Sequence, residues 1–339
     1  MRLVSNRTPL SALESLNEEQ ATRLEVLGVR SVEALAARLS PLNEEQLEIW
    51  SRSTYLSKAE LLQLGKSAET RSASFLSVSS NLPPVLAAKG ALPPPGTMAD
   101  TSTVTQIEPL LRVARNLAQG EGVNYISRLG PIRSQGLRGT CVAHAMCALK
   151  EFYLGEDGTD LSEQFLYWWC KEHDGLPGIS GTFVATARQG LENIGVCLES
   201  TWPYVKIPGS SEGQGPPPEQ AIAEAPQYKL SGLEMLPDPR NVNRIIQALD
   251  AGKLVAVSIK TYSFWTDPEI RRSGQISLPL GEPSTGGHAV LVVGYDAQDE
   301  SFIFRNSWDV TWAFESPYGP GYGSLPYPYI AQDGWEACC

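Results

Sequence analysis

Histidine is nearly absent from this chain: its 339 residues include three, His144, His173 and His288. Any chemistry that needs an imidazole therefore has three candidates. Cysteine is sparse too, at 141, 147, 170, 197, 338 and 339. So few thiols at irregular spacing do not read as a disulfide framework, and a reducing compartment is expected, the cytoplasm by default or another site reached without a readable signal. Cys141 and His144 are close in sequence, but no second pair follows at zinc-site spacing, so neither a metal nor another cofactor is expected. Positive charge is also short: 27 basic against 38 acidic residues leave a net charge of −11. A nucleic-acid-binding face needs a basic surplus, so nucleic acid is not an expected partner. No run approaches the ~18 apolar residues of a membrane span, and residues 1–16 lack the apolar core of a secretory signal.

What is present suffices for a sizeable core, since 42% of residues are hydrophobic and 19% charged. The length leaves room for one large domain and an appendage. Residues 9–70 read as helical. Leu16-Asn17-Glu18-Glu19-Gln20 recurs as Leu42-Asn43-Glu44-Glu45-Gln46, and in both copies Asn caps a helix while Gln reaches back. Gly28 closes the first helix and Ser31 opens the next. This 1–70 module resembles helix-hairpin-helix units, but the hairpin at 16–20 is acidic, so a protein partner or a targeting role is expected rather than DNA. Residues 71–105, rich in Ser and Pro, read as a linker. Residues 106–119 have the stripe of an amphipathic helix, and the stretch 100–125 around it is the candidate to cover a cleft in the C-terminal domain. That domain, 106–339, alternates helices from 141 and after Ser162 with strands at 254–259, 288–294 and 301–305, an α+β pattern. Residues 208–218 read as a surface loop crossing between two lobes, and Cys338-Cys339 as a disordered tail without a four-residue prenylation box.

Cys141 opens an apolar helical run after Ser134-Gln135-Gly136-Leu137-Arg138-Gly139-Thr140. A thiol attacks as thiolate, and the first turn of a helix, with Thr140 as N-cap, favours negative charge. His288 follows Thr285-Gly286-Gly287 and opens an apolar strand, which sets an imidazole at a strand edge beside small neighbours. Asn306 begins Asn306-Ser307-Trp308; its carboxamide orients an imidazole without neutralising it, and Trp308 would shield that bond from water. Gln135 and the Cys141 N–H suit an oxyanion. His144 competes with His288 but shares a helix with the nucleophile and is poorly placed for work across a cleft. His173 reads as solvated, and Cys147 as a buried helix residue.

These residues resemble the papain-like cysteine protease family over about 120–332. Gln135 to Cys141 is similar to its Gln-Gly-x-x-Gly-Ser-Cys, and Leu161-Ser162-Glu163-Gln164 to its Leu-Ser-Glu-Gln. Gly195 to Tyr204, His288-Ala289-Val290 with Gly294-Tyr295, and Asn306-Ser307-Trp308 with Trp312 follow in the family's order. The resemblance implies a two-lobed α+β fold, helical on the left and β-barrel-like on the right, preceded here by the small all-α module. It implies Cys141 as nucleophile, His288 as general acid/base, Asn306 as its orienter and Gln135 as oxyanion donor. Gly181, Gly287 and Trp308 are the expected substrate-binding residues, and a polypeptide the substrate.

Departures from the pattern are informative. Arg138 replaces a cysteine that commonly forms a disulfide, and Cys170 lies near the usual partner. Val142 replaces a Trp, His144 an aromatic residue, and Asp309 a Gly. Gly287 stands where Asn or Asp is usual. The charged-aromatic pattern of the family's inhibitory propeptide is not visible in 1–119. Trimmed disulfides and the unusual N-terminal module suit a bacterial-type endopeptidase. An acyltransferase or deamidase with the same triad, and an inactive peptide-binding relative, are the alternatives.

Overall fold

The computed structural model describes residues 8–13, 16–39, 42–54, 56–79, 88–94, 122–155 and 158–339. The amphipathic helix expected at 106–119 lies outside the described residues. Among the described residues, four α-helices form the N-terminal module: α1 (Glu18–Val26), α2 (Val32–Leu39), α3 (Glu44–Thr54) and α4 (Lys58–Ser79). Both capping boxes are made: the Gln20 N–H donates to Asn17 Oδ1 at 2.8 Å and the Gln46 N–H to Asn43 Oδ1 at 2.9 Å, with each Gln side chain accepting in return. Leu24, Val32, Leu35, Trp50, Leu61 and Leu64 are buried on the inner faces. α4 runs to Ser79, nine residues into the stretch expected as linker, because its sequence contains no proline before 83 to stop it.

The module does not stand apart. Its α1–α2 turn lies on residues 276–278, where the Leu278 N–H donates to Leu27 O at 2.8 Å. Gly28 holds a left-handed φ of +86° there, and a Cβ would fall 2.7 Å from Ile276 O, so both conformation and space demand glycine. Arg38 is 4% exposed, donates to Leu278 O at 3.0 Å, pairs with Glu282 at 2.6 Å and lies 4.0 Å from the Phe264 ring.

The remainder has a helical lobe and a sheet lobe. α5 (Cys141–Leu154), α6 (Glu163–His173) and α7 (Val184–Asn193) make the first. α5 is buried on every side from Cys141 to Phe152, as an apolar central helix must be. Ser162 caps α6 by accepting from the Phe165 N–H at 3.1 Å. Arg133 ties α5 to α6, pairing with Glu151 at 2.8 Å, Glu163 at 3.2 Å and Asp160 at 2.6 Å.

The sheet lobe has six antiparallel strands among the described residues. β1 is Val123–Asn124, β2 Val255–Tyr262, β3 Ser284–Asp296, β4 Ser301–Arg305, β5 Tyr322–Pro326 and β6 Gly334–Cys338. Their order is β5-β4-β3-β2-β6, with β1 on the distal part of β3. Short helices follow in the second half of the chain: α8 (Glu219–Glu224), α9 (Val242–Asp250) and α11 (Tyr327–Asp333), the last two packed on the sheet, and α10 (Pro268–Ser273), packed on α2 and α4.

Two sequence expectations are corrected. Cys338 and Cys339 are not a loose tail: Cys338 ends β6 opposite Ala256, and Cys339 exchanges two backbone bonds with Glu234. Both are buried, because β6 covers an edge of β2 that would otherwise be left unpaired. Residues 208–218 do not simply span the lobes either. They are bound to α6, where Gln164 Nε2 donates to Gly213 O and Tyr167 Oη to Glu212 Oε2.

Candidate active site

Four elements supply the four residues named from sequence. Cys141 is the first residue of α5, His288 sits on β3 opposite Ile259, Asn306 follows β4, and Gln135 lies in the loop before α5. The loop and the end of β4 are joined by a backbone bridge between Ser134 and Trp308 and by the Gln135 N–H donating to Ser307 O at 2.9 Å. α5 meets β3 where the Ala289 N–H donates to Cys141 Sγ at 3.3 Å, one residue from His288.

The side chains constrain one another's protonation. Asn306 Oδ1 accepts from the Ser307 N–H at 2.8 Å, which fixes that end of the carboxamide as oxygen. His288 Nε2, 2.9 Å from the same oxygen, must then carry hydrogen and donate. Its Nδ1 is left with a lone pair and no hydrogen-bond partner. Trp308, 1% exposed, lies tilted on the His288 ring at 4.6 Å and excludes water from the His288–Asn306 bond. Gln135 is held at both ends: Oε1 accepts from Ser307 Oγ at 2.7 Å and Nε2 donates one hydrogen to Arg138 O at 2.8 Å.

The model of the papain family cysteine proteases matches residues 123–318. The chain belongs to the papain family. It is 25% identical over 211 residues to an uncharacterized peptidase C1-like protein of Acanthamoeba polyphaga mimivirus, covering 59% of this chain and 65% of that one. It is 29% identical over 216 residues to human cathepsin L2, covering 61% and 59%. The chain thus spans about half to two thirds of the length of the curated relatives it matches. Among solved structures, xylellain, a cysteine protease from Xylella fastidiosa, superposes with a TM-score of 0.60 at 23% identity, over 76% of this chain and 96% of that one. Procathepsin L2 of Tenebrio molitor gives 0.52 at 19% identity, over 80% and 89%. Both share the fold.

This papain-family cleft is occupied by the chain's own residues 88–94. The Trp308 Nε1–H donates to Ala88 O at 3.2 Å, and the Gly90 and Ala91 N–H groups to Gly287 O at 3.0 and 3.2 Å. The Thr182 N–H donates to Gly90 O at 2.8 Å and the Leu92 N–H to Thr182 O at 2.9 Å, a parallel pairing. Lys89 Nζ bonds Thr285 Oγ1, and the Trp335 Nε1–H donates to Leu92 O at 3.1 Å. The strap then borders a cavity of about 1020 Å³ whose lining includes Tyr262, Lys260, Glu282 and Trp335. The Gly90 amide lies near enough to the Cys141 thiol to favour its charged form, while its hydrogen is donated to Gly287 O. Residues 88–94 fall in what the sequence suggested was linker; of the stretch 100–125 named as a candidate cover, residues 100–121 lie outside the described residues.

Burial under the strap governs charge. It pushes the Cys141 thiol up to about 11, against the pull of the Ala289 and Gly90 amides. It holds His288 down at about 4, although the bond to Asn306 favours its protonation. Both groups, fully buried, are therefore neutral in the covered cleft. Thr140 occupies the N-cap position of α5, but its hydroxyl bonds Tyr204 Oη at 2.6 Å instead of capping.

Gly181, Gly287 and Trp308, the residues expected to contact substrate, all lie against the strap. Gly287 lies in the cleft and leaves no room for a side chain, since a Cβ would fall 2.7 Å from the Trp335 ring. At 180–182 the backbone bonds to the strap are made by Thr182, while Gly181 donates to Tyr167 Oη at 2.9 Å and packs on the strap so closely that a Cβ would fall 2.4 Å from Gly90 O. Arg138, which the sequence marks only as a replaced cysteine, has a structural role of its own. It is 3% exposed, lies between the Tyr167 and Tyr204 rings, and donates to Gln164 Oε1, Val205 O and Glu212 O at 2.6, 2.9 and 2.9 Å. It fastens the 205–212 loop non-covalently, while Cys170 stays a free thiol. The signal for this was a lone arginine in a glycine-rich loop, and nothing local names its partners. His173 is exposed and stacks on Trp169 at 4.0 Å.

Proposed function

We propose that the chain is a cysteine endopeptidase, held latent by its residues 88–94. The observation that carries this reading is the His288 ring: Nε2–H fixed on Asn306, Nδ1 unpartnered, in the residue next to the one that bonds the Cys141 thiol. With the strap displaced, water returns and the His288 Nδ1 lone pair accepts the Cys141 proton. Sγ bonds to a peptide carbonyl carbon, and the oxygen takes the electron pair. The Cys141 N–H and a Gln135 amide hydrogen face that oxyanion. The imidazolium returns its proton to the departing amine as the C–N bond breaks. A water, losing its proton to His288, then splits the thioester and releases the acid. The same acyl-enzyme serves amine transfer, with only the acceptor changed.

The backbone bonds that hold the strap to Gly287 and Thr182 on both sides of the cleft support latency. The N-terminal helices act as a brace for the cleft wall, a role supported by Arg38 and the α1–α2 turn on residues 276–282. Incubation with an epoxysuccinyl thiol probe, read by mass spectrometry, tests the proposal. Expected is slow labelling of full-length protein at Cys141, fast labelling once the strap is cut by an added protease, and none in Cys141→Ala. Loss of labelling in His288→Ala completes the result. No labelling in any form, with the strap shown to be cut, overturns it in favour of a peptide-binding protein.

A further inference from the structure

His144 stands where the family commonly has an aromatic side chain, and its surroundings give it work that a carbocyclic ring cannot do. A small cavity of about 10 Å³, the least that admits one water molecule, has His144, Glu163, Asn306, Ser307, Arg133 and Arg305 in its lining. Two buried polar atoms on this lining have no protein hydrogen-bond partner: His144 Nε2 and Asn306 Nδ2. Their side chains belong to residues 5% and 3% exposed. His144 Nδ1 lies 3.0 Å from Thr140 O, a carbonyl that only accepts, so Nδ1 carries the hydrogen. Nε2 is then a bare acceptor. Burial first, and then the nearby Arg133, Arg138 and Arg305 cations, disfavour protonation there, and the ring stays neutral. Asn306 Oδ1 is engaged by His288 and Ser307, so Nδ2 is a donor turned away from both.

One buried acceptor and one buried donor on the same small cavity are what a single water satisfies, donating to the first and accepting from the second. The carboxylate of Glu163 lines the same space and is an acceptor for the second O–H. We propose that a buried water bridges His144 Nε2 and Asn306 Nδ2, and that His144 is thereby a positioning residue for the catalytic imidazole. The inference rests on the reading of Asn306 as the orienter of His288. Anchoring Nδ2 prevents the carboxamide from rotating about its last torsion, and rotation would draw Oδ1 off the His288 Nε2–H.

The test uses the full-length chain and no hydrolysis, so it stands or falls apart from the peptidase reading. A crystal structure refined with ordered solvent is expected to show one water within hydrogen-bonding distance of both atoms. An empty cavity, a water touching neither atom, or a direct His144–Asn306 bond overturns the proposal. The second measurement is nitrogen-15 NMR of histidine-labelled protein, which carries three imidazoles only. His144→Phe keeps a ring and removes the acceptor. It is expected to speed exchange of the His288 Nε2–H by about three- to tenfold, the loss of one ordinary hydrogen bond. His144→Gln, whose amide oxygen can accept, should restore slow exchange. Unchanged exchange in a folded His144→Phe refutes the positioning role, even with the water in place. Should His144→Phe not fold, the wild-type crystal and His144→Gln still decide.

Discussion

Replacing Gly90 with valine should open the cleft while leaving the catalytic machinery untouched. Gly90 belongs to the strap, and a Cβ there would fall 2.5 Å from Gly139 Cα and closer still to its carbonyl. Gly139 has no space to retreat, since its own Cβ position is 2.6 Å from Ser180 Oγ and 2.9 Å from Gly181 N. Both sides of the clash are therefore backbone rather than the ends of flexible side chains. Forcing extra carbons into a packed site costs about 1–3 kcal/mol, and backbone opposing backbone puts this case near the top of the range. At 1.36 kcal/mol per decade, about 3 kcal/mol weakens strap binding on the order of a hundredfold. Labelling proceeds through the open form, so its rate rises with the open fraction until that form dominates. The assay is the second-order rate constant for epoxysuccinyl labelling of Cys141 in full-length Gly90→Val. Gly130→Ala serves as control, because a Cβ there meets nothing within 4 Å. An unchanged or slower rate in Gly90→Val, or an equal rise in the control, would refute the reasoning.

Acid should loosen the same strap. His288 is held at about 4 in the covered cleft, against an ordinary 6.5. Between those values the open form binds a proton that the covered form refuses, so the strap loses its hold as pH falls from 6.5 towards 4, by at most about 3 kcal/mol. Above 6.5 the ring takes up no proton from solution in either form, since a transfer from Cys141 moves one only within the pair, and this group has no effect. Hydrogen-exchange protection at the Leu92 and Thr182 amides, corrected for intrinsic rates, should fall over that interval; constant or rising protection contradicts the account. Arg38→Ala removes one member of a buried ion pair and strands Glu282 against the cleft wall. Such losses cost about 3–5 kcal/mol, so the urea midpoint of the full chain should drop markedly. A midpoint within error of the wild type would mean that the N-terminal helices do not brace the wall.

Cys141, Gln135, His288 and Asn306 were legible as candidates because each is announced by signals a few residues wide: a glycine-rich loop before an apolar helix, small residues before an apolar strand, and Asn-Ser-Trp after another. The helix starts at Asn17, Asn43 and Ser162 were legible for the same reason, since a cap and the N–H it satisfies lie within three residues. Periodicity alone determined the α+β order and the separation of helical and strand-rich halves. Everything that reaches across the chain was decided by tertiary structure. The Gly90–Gly287 bonds join residues far apart in sequence, and Pro-rich composition around 83–95 reads as linker whether or not its backbone finds a cleft. Cys338 and Cys339 looked like a tail because strand pairing with β2 leaves no mark in two terminal residues. Arg138 and His144 are single polar letters in apolar or glycine-rich surroundings, and their partners at 164, 205 and 212, and across the cavity at 306, come from other elements. Local patterns name the groups because capping and amphipathicity act within a turn or two of chain. Which groups are covered, neutral or tethered depends on burial and on backbone approach between distant segments, and those exist only in the folded molecule.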